Sequence, residues 1–247
     1  MLSLELNNIL DIYYHSSSSF NNVVAMNNEL IKIFKKKSLK KFLQKDIELY
    51  LRQLRANNNS SSTINSKLVH LNKCLKYYGT KLIIPYQKVK NKEKEIISQT
   101  QYEYLKEEFK ANNDVYKFIV LAYHTGMRAN EILNIRIQHF KYDSGVYFLN
   151  LYNTKNHKDN YIPLSKEVNH IVENFEEFNI NYKQLYYELK KYSITPHQFR
   201  HSFITRAYEK GLDSFTIMKL TNQTSLSVHQ RYNHISNSRL RDIVQVL

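Results

Sequence analysis

Glycine is the residue that most limits what this chain can fold into, because only four of its 247 residues are glycine. Average usage of about 7% would give roughly 17. The four stand far apart, as Gly79, Gly126, Gly145 and Gly211. Phosphate-binding loops of the dinucleotide or ATP type need clustered glycines, so that backbone amides can approach phosphate oxygens. The sequence therefore disfavours nucleotide-dependent chemistry, and each glycine is expected to end or bend an element.

The first third of the chain has a helical pattern. Apolar residues recur at helical spacing over residues 28–56, with lysines and arginines between them, which predicts short amphipathic helices. The run Asn57–Ser62 contains only asparagine and serine and indicates a loop. Thr63 then stands where an N-cap is expected, at the start of a helix that ends at Gly79.

A change of composition near Pro85 marks a boundary between two domains. Four lysines alternate with other residues in a polar stretch without apolar periodicity: Lys88, Lys90, Lys92 and Lys94. This pattern favours a linker that crosses a polyanion over a packed element. We predict an N-terminal helical domain over residues 1–84, a basic linker over 85–97 and a second domain over 98–247.

The second domain is expected to combine helices with a small sheet. Residues 115–124 are apolar nearly all round, as in a central buried helix, and Gly126 ends that helix. Strand-forming residues at 146–152 and 161–164 flank a polar turn, which predicts a β-hairpin. The expected fold class is therefore mainly α with a small β-sheet or hairpin.

Two helices of this domain are predicted to carry charged and polar side chains on shared faces. The helix after Gly126 is expected to hold Arg128 and Glu131 on neighbouring turns. Thr195-Pro196 has the N-cap and first-turn proline of another helix. The i, i+3 and i+4 spacing on that helix places an imidazole, a guanidinium and a second imidazole on one face, from His197, Arg200 and His201.

Metal and disulfide chemistry are disfavoured. His197 and His201 have the i, i+4 spacing of a zinc helix, but residue 198 is Gln instead of the Glu that such a hydrolase uses as general base. No third ligand is apparent, so no metal is expected. The single cysteine, Cys74, excludes a disulfide framework or a cysteine-based zinc site and is expected to be a buried thiol in a reducing compartment.

The charge balance favours an anionic partner. The chain has 36 Lys or Arg and 22 Asp or Glu, which gives a formal charge of +14. Heavy use of Asn, Lys and Tyr is also typical of an AT-rich coding sequence, so charge alone is a weak argument for a binding surface. No stretch reaches the roughly 18 uninterrupted apolar residues of a membrane span, and the first residues lack the layout of a signal peptide. We expect a cytoplasmic protein.

Several segments of the second domain carry further motifs. Residues 125–133 (TGMRANEIL) and residues 195–203 (TPHQFRHSF, with a His-x-x-Arg core) resemble the first and second arginine boxes of the tyrosine recombinases or phage-type integrases. Residues 225–234 (SLSVHQRYNH) resemble the box that ends in the nucleophilic tyrosine. Between the two arginine boxes, residues 154–158 followed by 162–164 are similar to the hairpin that bears the catalytic lysine.

The resemblance implies a fold, an activity and partners. It implies a helical, SAM-like core-binding domain, to which residues 28–80 are loosely similar, and an α+β catalytic domain, together forming a C-shaped clamp around DNA. The implied activity is site-specific cleavage and rejoining of duplex DNA through a 3′-phosphotyrosyl intermediate and a Holliday junction, with no cofactor, metal or ATP. The implied partners are double-stranded DNA with a recombination site and further copies of the chain, as a homo-tetramer on paired sites and a monomer or dimer off DNA. Neither a membrane nor a small-molecule substrate is expected.

The resemblance also assigns the reacting groups. Arg128 and Arg200 would stabilise the charge that develops on the phosphate oxygens. Tyr232 would attack phosphorus and conserve the bond energy in a phosphotyrosine. The hairpin lysine would protonate the departing 5′ oxygen; Lys155 fits best, with Lys158 as the alternative.

Supporting roles follow in the same way. His197 would accept or share the tyrosyl proton, while Glu131 and His201 would orient the groups that react. Three linker lysines would contact DNA phosphates: Lys88, Lys90 and Lys92.

One position departs from the family pattern. Where the family has a histidine or a tryptophan shortly before the tyrosine box, this chain has Gln223. A Gln amide can donate a hydrogen bond to a phosphate oxygen, but it cannot carry positive charge. Gln223 is therefore expected to act in catalysis with reduced efficiency.

Two other functions stay open at this point. A type IB-like topoisomerase would use the same nucleophile and relax supercoiled plasmid that lacks a special site. A catalytically decayed DNA-binding protein descended from an integrase is supported by Gln223 alone. The five other catalytic positions favour an active recombinase.

Overall fold

The computed structural model describes residues 1–14, 20–35, 37–89, 95–152 and 159–223. Backbone contacts divide the chain into two compact units, Met1–Lys92 and Glu93–Leu247. The division falls within the segment 85–97 that the sequence assigns to a linker. Across the described ranges, no helix is both long enough and apolar enough to cross a membrane.

The N-terminal unit consists of amphipathic helices around an apolar core. They are α1 (Leu2–Tyr14), α2 (Phe20–Phe34), a 3-10 helix (Leu39–Lys41), α3 (Gln44–Ala56) and α4 (Ser61–Tyr77). Once per turn, α1 places a fully buried side chain in this core, from Leu2, Leu6 and Ile9. The helical pattern predicted for residues 28–56 is confirmed, whereas α1 precedes the residues on which that prediction rests.

The predicted start of α4 at Thr63 is wrong, because the helix begins earlier. Ser60 is the N-cap, and its hydroxyl accepts a hydrogen bond from the amide of Thr63 at 3.2 Å. A serine hydroxyl one turn ahead of Thr63 already satisfies a free amide of the first turn. The loop between α3 and α4 is therefore shorter than the run of asparagine and serine suggests.

A buried polar pair links the helices of this unit. Nε2 of His70 lies 2.7 Å from Oδ1 of Asn27, whose Nδ2 donates to the carbonyl oxygen of Leu6 at 3.3 Å. Cys74 lies one turn beyond His70 and is fully buried, as predicted. Burial raises the pKa of the Cys74 thiol to about 12, so this thiol stays protonated and inert.

The chain that follows α4 is held against the N-terminal unit. The amide of Gln87 donates to Oδ1 of Asn65 at 2.6 Å, and Nδ2 of Asn65 donates back to the carbonyl oxygen of Gln87 at 2.8 Å. Arg55 in α3 donates to Oε1 of Gln87 at 2.6 Å. The first residues of the predicted linker are thus packed, because side-chain amides pair with their backbone.

The C-terminal unit surrounds one central buried helix, α6. Its helices are α5 (Gln99–Glu108), α6 (Asn113–Thr125), α7 (Ala129–Leu133), α8 (Asn169–Glu173), α9 (Tyr182–Lys190), α10 (Pro196–Glu209) and α11 (Ser214–Leu220), with 3-10 helices at Ile137–His139 and Lys166–Val168. Phe118, Ile119 and Leu121 of α6 are fully buried. The prediction that this segment is a central buried helix is confirmed.

A three-stranded antiparallel sheet lies beside these helices, in the order β1-β2-β3. Its strands are β1 (Phe140–Asp143), β2 (Val146–Tyr152) and β3 (Asp159–Pro163). Leu149 of β2 is paired with Phe140 on one side and with Ile162 on the other, and this row faces the core. The predicted hairpin is formed by β2 and β3, whereas β1 was not predicted from the sequence. The fold class predicted from the sequence, mainly α with a small sheet, is confirmed.

Candidate active site

The turn after α6 brings two predicted site residues to one place. Gly126 caps α6 in the left-handed conformation, with φ of 62°. A Cβ atom at this position would lie 2.6 Å from Cγ of Phe203 in α10. Only glycine accommodates both this φ and this close approach of a second helix. The turn from Gly126 to Arg128 therefore packs directly on α10.

Arg128 is the N-cap of α7, not a residue inside the helix as the sequence predicts. Its backbone amide donates to Oε2 of Glu131 at 2.8 Å, and its Nη1 donates to Oε1 of the same carboxylate at 2.7 Å. Nη1 also donates to the carbonyl oxygen of Asn222 at 3.1 Å. The side chain is nevertheless 49% exposed. Two groups thus orient a guanidinium that still faces solvent.

Arg200 approaches the same turn from α10. Its side chain is buried, with the residue only 2% exposed, and Nη1 donates to the carbonyl oxygen of Gly126 at 3.0 Å. Gly126 precedes Arg128 by two residues, so both arginines are attached to one short stretch of backbone. A fixed guanidinium stabilises developing charge without reorganisation during the reaction.

The two histidines of α10 differ in exposure. His197 is exposed, whereas His201, one turn later, is buried beside Arg200. Their rings meet edge to face, with centroids 4.4 Å apart. The two imidazoles predicted on one face of α10 therefore differ in exposure: that of His197 is open to solvent, and that of His201 is packed behind it.

Gln223 follows Asn222 directly, so it lies next to the carbonyl group that Arg128 contacts. Its backbone amide donates to the carbonyl oxygen of Met218 at 2.9 Å, which anchors it to the end of α11. Its side-chain Oε1 is buried and has no hydrogen-bond partner within residues 1–14, 20–35, 37–89, 95–152 and 159–223. The backbone of Gln223 is thus anchored one residue from the carbonyl group that Arg128 contacts.

A hydrogen-bond chain supports the end of α6. Nε2 of His124 lies 3.2 Å from the hydroxyl oxygen of Tyr102 in α5, and Nδ1 lies 3.2 Å from the hydroxyl oxygen of Ser165, just beyond β3. Burial lowers the pKa of His124, although the charge of Glu167 opposes this effect. The neutral imidazole of His124 therefore connects α5 and the end of the hairpin to the last turn of α6, directly before the Thr125-Gly126 turn.

Several predicted site residues lie outside the described residues. They are the hairpin lysines and the nucleophile, Lys155, Lys158 and Tyr232, together with the linker lysines Lys90 and Lys92. Lys88 is described and exposed. The described part of the site is therefore formed by Arg128, Glu131, His197, Arg200, His201 and Gln223.

Sequence reasoning missed the backbone groups that hold the arginines. Gly126 and Asn222 contribute carbonyl oxygens, so no side-chain pattern points to them. The positive φ of Asn222, 51°, belongs to a left-handed turn, and asparagine after a helix is a known signal for such a turn. His124 was also missed, because a polar residue at the end of an apolar helix resembles an ordinary C-terminal cap.

This arrangement suits an anion with several acceptor oxygens. Two guanidiniums at one turn offer fixed, charged donors in the geometry that phosphate accepts. An amide and an exposed imidazole lie on the elements that carry or contact those arginines. Such a site can bind a phosphodiester and stabilise added negative charge on it.

A comparison with protein families shows which family the chain belongs to. The model of the phage integrase family matches residues 90–181 and 175–239, which together are more than half of the chain. The chain belongs to the phage integrase family. The matched region contains both arginine boxes, and it also contains Lys155 and Tyr232.

Curated relatives from the phage integrase family extend this result. Tyrosine recombinase XerC of Staphylococcus aureus is 27% identical in an alignment that covers 83% of this chain and 81% of the relative. Tyrosine recombinase XerA of Saccharolobus solfataricus is 25% identical over 74% of this chain and 66% of the relative. XerA of Pyrococcus furiosus is 28% identical over 51% of this chain. The chain spans about half the length of this last relative, 52%.

Solved structures show the same fold. XerH site-specific recombinase bound to palindromic difH substrate has a TM-score of 0.74 and 17% identity, and the match covers 99% of this chain and 84% of that one. A lambda integrase dimer bound to a core site has a TM-score of 0.71 and 13% identity, with 93% and 76% covered. At these identities the likeness establishes the phage integrase fold.

Proposed function

We propose that the protein is a site-specific tyrosine recombinase, which cleaves and rejoins duplex DNA through a 3′-phosphotyrosyl intermediate. The observation that carries the proposal is the attachment of Arg128 and Arg200 to one turn, at Gly126. Both come from boxes that occur in family order, and the nucleophile box follows them. Membership of the phage integrase family supports the same activity.

In the proposed reaction the arginines bind the scissile phosphate. Arg128 and Arg200 donate to its non-bridging oxygens, whose negative charge increases as the nucleophile attacks. Glu131 holds Arg128 through both carboxylate oxygens, so the guanidinium needs little reorganisation. Gln223 adds a neutral donor where the family has a histidine or a tryptophan. His201 packs behind Arg200.

Tyr232 is the proposed nucleophile. Its hydroxyl oxygen forms the new bond to phosphorus, its proton passes to His197, and the bond from phosphorus to the 5′ oxygen breaks. Lys155, or Lys158 in its place, donates a proton to the departing 5′ oxygen. The 5′ hydroxyl of a second strand then attacks the phosphotyrosine and releases Tyr232, so rejoining needs no ATP. Exchange of both strand pairs proceeds through a Holliday junction.

The proposed partners are double-stranded DNA with a specific recombination site and three further copies of this chain on paired sites. Off DNA, the proposed state is a monomer or a dimer. Linker lysines Lys88, Lys90 and Lys92 would contact DNA phosphates. The proposed location is the cytoplasm, in association with DNA.

A trapping experiment tests this function. Nicked duplexes that carry the genomic flanks of the protein's own gene are incubated with the protein, and covalent adducts are sought on a denaturing gel. An adduct with flank sequence, but not with scrambled duplex, supports site-specific recombination. Relaxation of supercoiled plasmid without the flanks would instead indicate a topoisomerase. Specific binding without any adduct would indicate a decayed DNA-binding protein.

A further inference from the structure

The end of the linker is hydrogen-bonded to the middle of α10. The backbone amide of Ile97 donates to Oγ of Ser202 at 2.6 Å, although the two residues are 105 positions apart. Ile97 is 2% exposed and Ser202 is fully buried. Ile97 also belongs to the apolar core around α6. The first described residues of the C-terminal unit are thus pinned to α10 by a side-chain hydroxyl.

The Ser202 hydroxyl uses both of its hydrogen-bonding functions. It accepts from Ile97 and donates to the carbonyl oxygen of Gln198, one turn earlier in α10, at 2.7 Å. The donor bond orients the oxygen, so that its lone pair faces the Ile97 amide. A buried amide that loses its acceptor carries a desolvation penalty, and no water can replace Ser202 without a cavity large enough to hold it.

The hydrogen bond between Ile97 and Ser202, the anchor of the linker, lies close to the candidate site. Ser202 follows Arg200 by two residues and His201 by one, within the same helix. On the other side, Ile97 ends the segment 85–97, whose lysines are the proposed phosphate contacts. A single hydroxyl therefore lies between the chain that meets DNA and the helix that carries the buried arginine.

We propose that Ser202 is a positioning residue, which fixes α10 to the end of the linker so that Arg200 is held in place when the linker binds DNA. This inference rests on the proposed recombinase function. It assigns no direct contact with the substrate to Ser202. The hydroxyl acts on catalysis only through the placement of α10.

The test compares three replacements of Ser202 with a nearby control. Ser202→Ala removes the hydroxyl, Ser202→Cys keeps similar size with a weak acceptor, and Ser202→Thr keeps the oxygen. Ser98→Ala is the matched control: Ser98 is the next residue after Ile97, but its hydroxyl only caps α5. Each protein is assayed for duplex affinity, single-turnover adduct formation and amide exchange at Ile97 by NMR, below its unfolding temperature.

The expected result is a split between binding and cleavage. Ser202→Ala and Ser202→Cys should form adduct roughly tenfold more slowly at unchanged DNA affinity, as expected for loss of a buried hydrogen bond that matters only to placement. Their Ile97 amide should exchange faster. Ser98→Ala should behave as the parent, and Ser202→Thr, which keeps the oxygen but adds a methyl group at a fully buried site, should cleave faster than Ser202→Ala. DNA should slow exchange at Ile97 further in the parent but not in Ser202→Ala.

Two outcomes would overturn the inference. In the first, Ser202→Ala exposes the Ile97 amide yet cleaves at the parental rate, so the bond contributes to stability alone. In the second, Ser98→Ala slows cleavage as much as Ser202→Ala does, so the effect arises from any change near Ile97 and not from the hydrogen bond between Ile97 and Ser202. If the parent itself forms no adduct, the recombinase proposal fails and the positioning role fails with it, whereas exchange at Ile97 still shows whether the Ser202 hydroxyl anchors the end of the linker.

Discussion

Arg128 donates from Nη1 to the carbonyl oxygen of Asn222 at 3.1 Å, which joins the turn before α7 to the turn after α11 across 94 residues. The contact is made by the residue directly before Gln223, whose side-chain amide is the proposed donor to the phosphate. A neutral amide donor there is weaker than the charge-assisted donor that a histidine can provide. The family's usual residue can therefore be tested in this chain.

Gln223→His is expected to cleave at an equal or modestly higher rate, because the difference between the two bond classes is about 1 kcal/mol, or several-fold in rate. Gln223→Ala deletes the donor and should slow cleavage by roughly ten- to a thousand-fold, as for a lost oxyanion donor. Single-turnover rates on a saturated trap duplex measure both. If Gln223→Ala matches the parent, the residue has no catalytic role.

Tyr232→Phe should abolish covalent adduct while leaving DNA affinity nearly unchanged. One hydroxyl provides the nucleophile but contributes little to a binding energy dominated by phosphate contacts. The measurement is a denaturing gel with labelled duplex. Tyr208→Phe is the control, since its hydroxyl lies 2.9 Å from Oγ of Ser214 and belongs to the packing of α10 on α11. Undiminished adduct from Tyr232→Phe would refute the assignment.

Lys155→Ala should block cleavage of ordinary DNA and be rescued by a substrate with sulfur at the bridging 5′ position. A thiolate leaves without protonation, so the acid is then unnecessary. Cleavage of both substrates is followed by single-turnover gel assay. Lys158→Ala serves as the comparison and should lack this pattern. Rescue of Lys158→Ala alone would transfer the acid role to Lys158.

Gly126→Ala should reduce both stability and cleavage. The φ of 62° costs an L-residue about 1–2 kcal/mol, and overpacking against Phe203 adds about 1–3 kcal/mol. Gly79→Ala is the matched control, because its φ of 76° is equally unfavourable, but no heavy atom of the described residues, its chain neighbours aside, lies within 4 Å of the added carbon. Urea unfolding should show a larger loss of unfolding free energy for Gly126→Ala than for Gly79→Ala. Adding Phe203→Ala to Gly126→Ala should reduce this difference, because it removes the ring that the new methyl group meets. Equal losses of unfolding free energy in Gly126→Ala and Gly79→Ala would show that contact with Phe203 adds no cost.

The N-terminal unit should lose stability in acid because of His70. Asn27 Oδ1 accepts from Nε2, and Nδ1 is buried with no hydrogen-bond partner among the described residues. Burial, with Lys73 adding to it, lowers the pKa of His70 from 6.5 to about 4. The unfolded chain therefore binds the proton more readily. The contribution of His70 to the free energy of unfolding is fully present above pH 6.5. It decreases as the pH falls toward 4, by roughly 3 kcal/mol at most.

Hydrogen exchange of α4 amides between pH 7 and pH 4 measures this loss. His70→Gln should have lower stability at neutral pH but a flatter dependence on pH, because the titrating group is gone. His170→Gln, an exposed histidine of the other unit, should leave the acid dependence of α4 unchanged. An α4 profile that stays steep in His70→Gln would assign the effect to other groups.

The elements with strong local signals were predictable. Residues 115–124 are apolar all round, and Thr195-Pro196 marks a helix start, so α6 and α10 follow from the sequence. β1 was not predicted: its residues alternate between aromatic and charged (Phe-Lys-Tyr-Asp), but four residues are a short signal, and only Phe140 is even partly buried. The cap of α4 was misplaced because Ser60 and Thr63 both qualify chemically, and packing decides between them.

The site was predictable in its side chains and not in its backbone. Arg128 and Glu131 have i, i+3 spacing, and the structure joins them through two hydrogen bonds. The carbonyl oxygens of Gly126 and Asn222 depend on how the chain turns after α6 and α11. Sequence patterns describe side-chain periodicity, so they carry no information on which carbonyl a distant arginine will meet.

The bond between Ile97 and Ser202 also sets an order of events during synthesis. After Ile97 the ribosome must add 105 more residues, up to and including Ser202, before the bond can form, which takes roughly 5 to 20 seconds at ordinary translation rates. The N-terminal unit closes over shorter sequence distances and can fold while that synthesis continues. A nascent chain can therefore complete its first unit well before the helix that carries Arg200 is anchored.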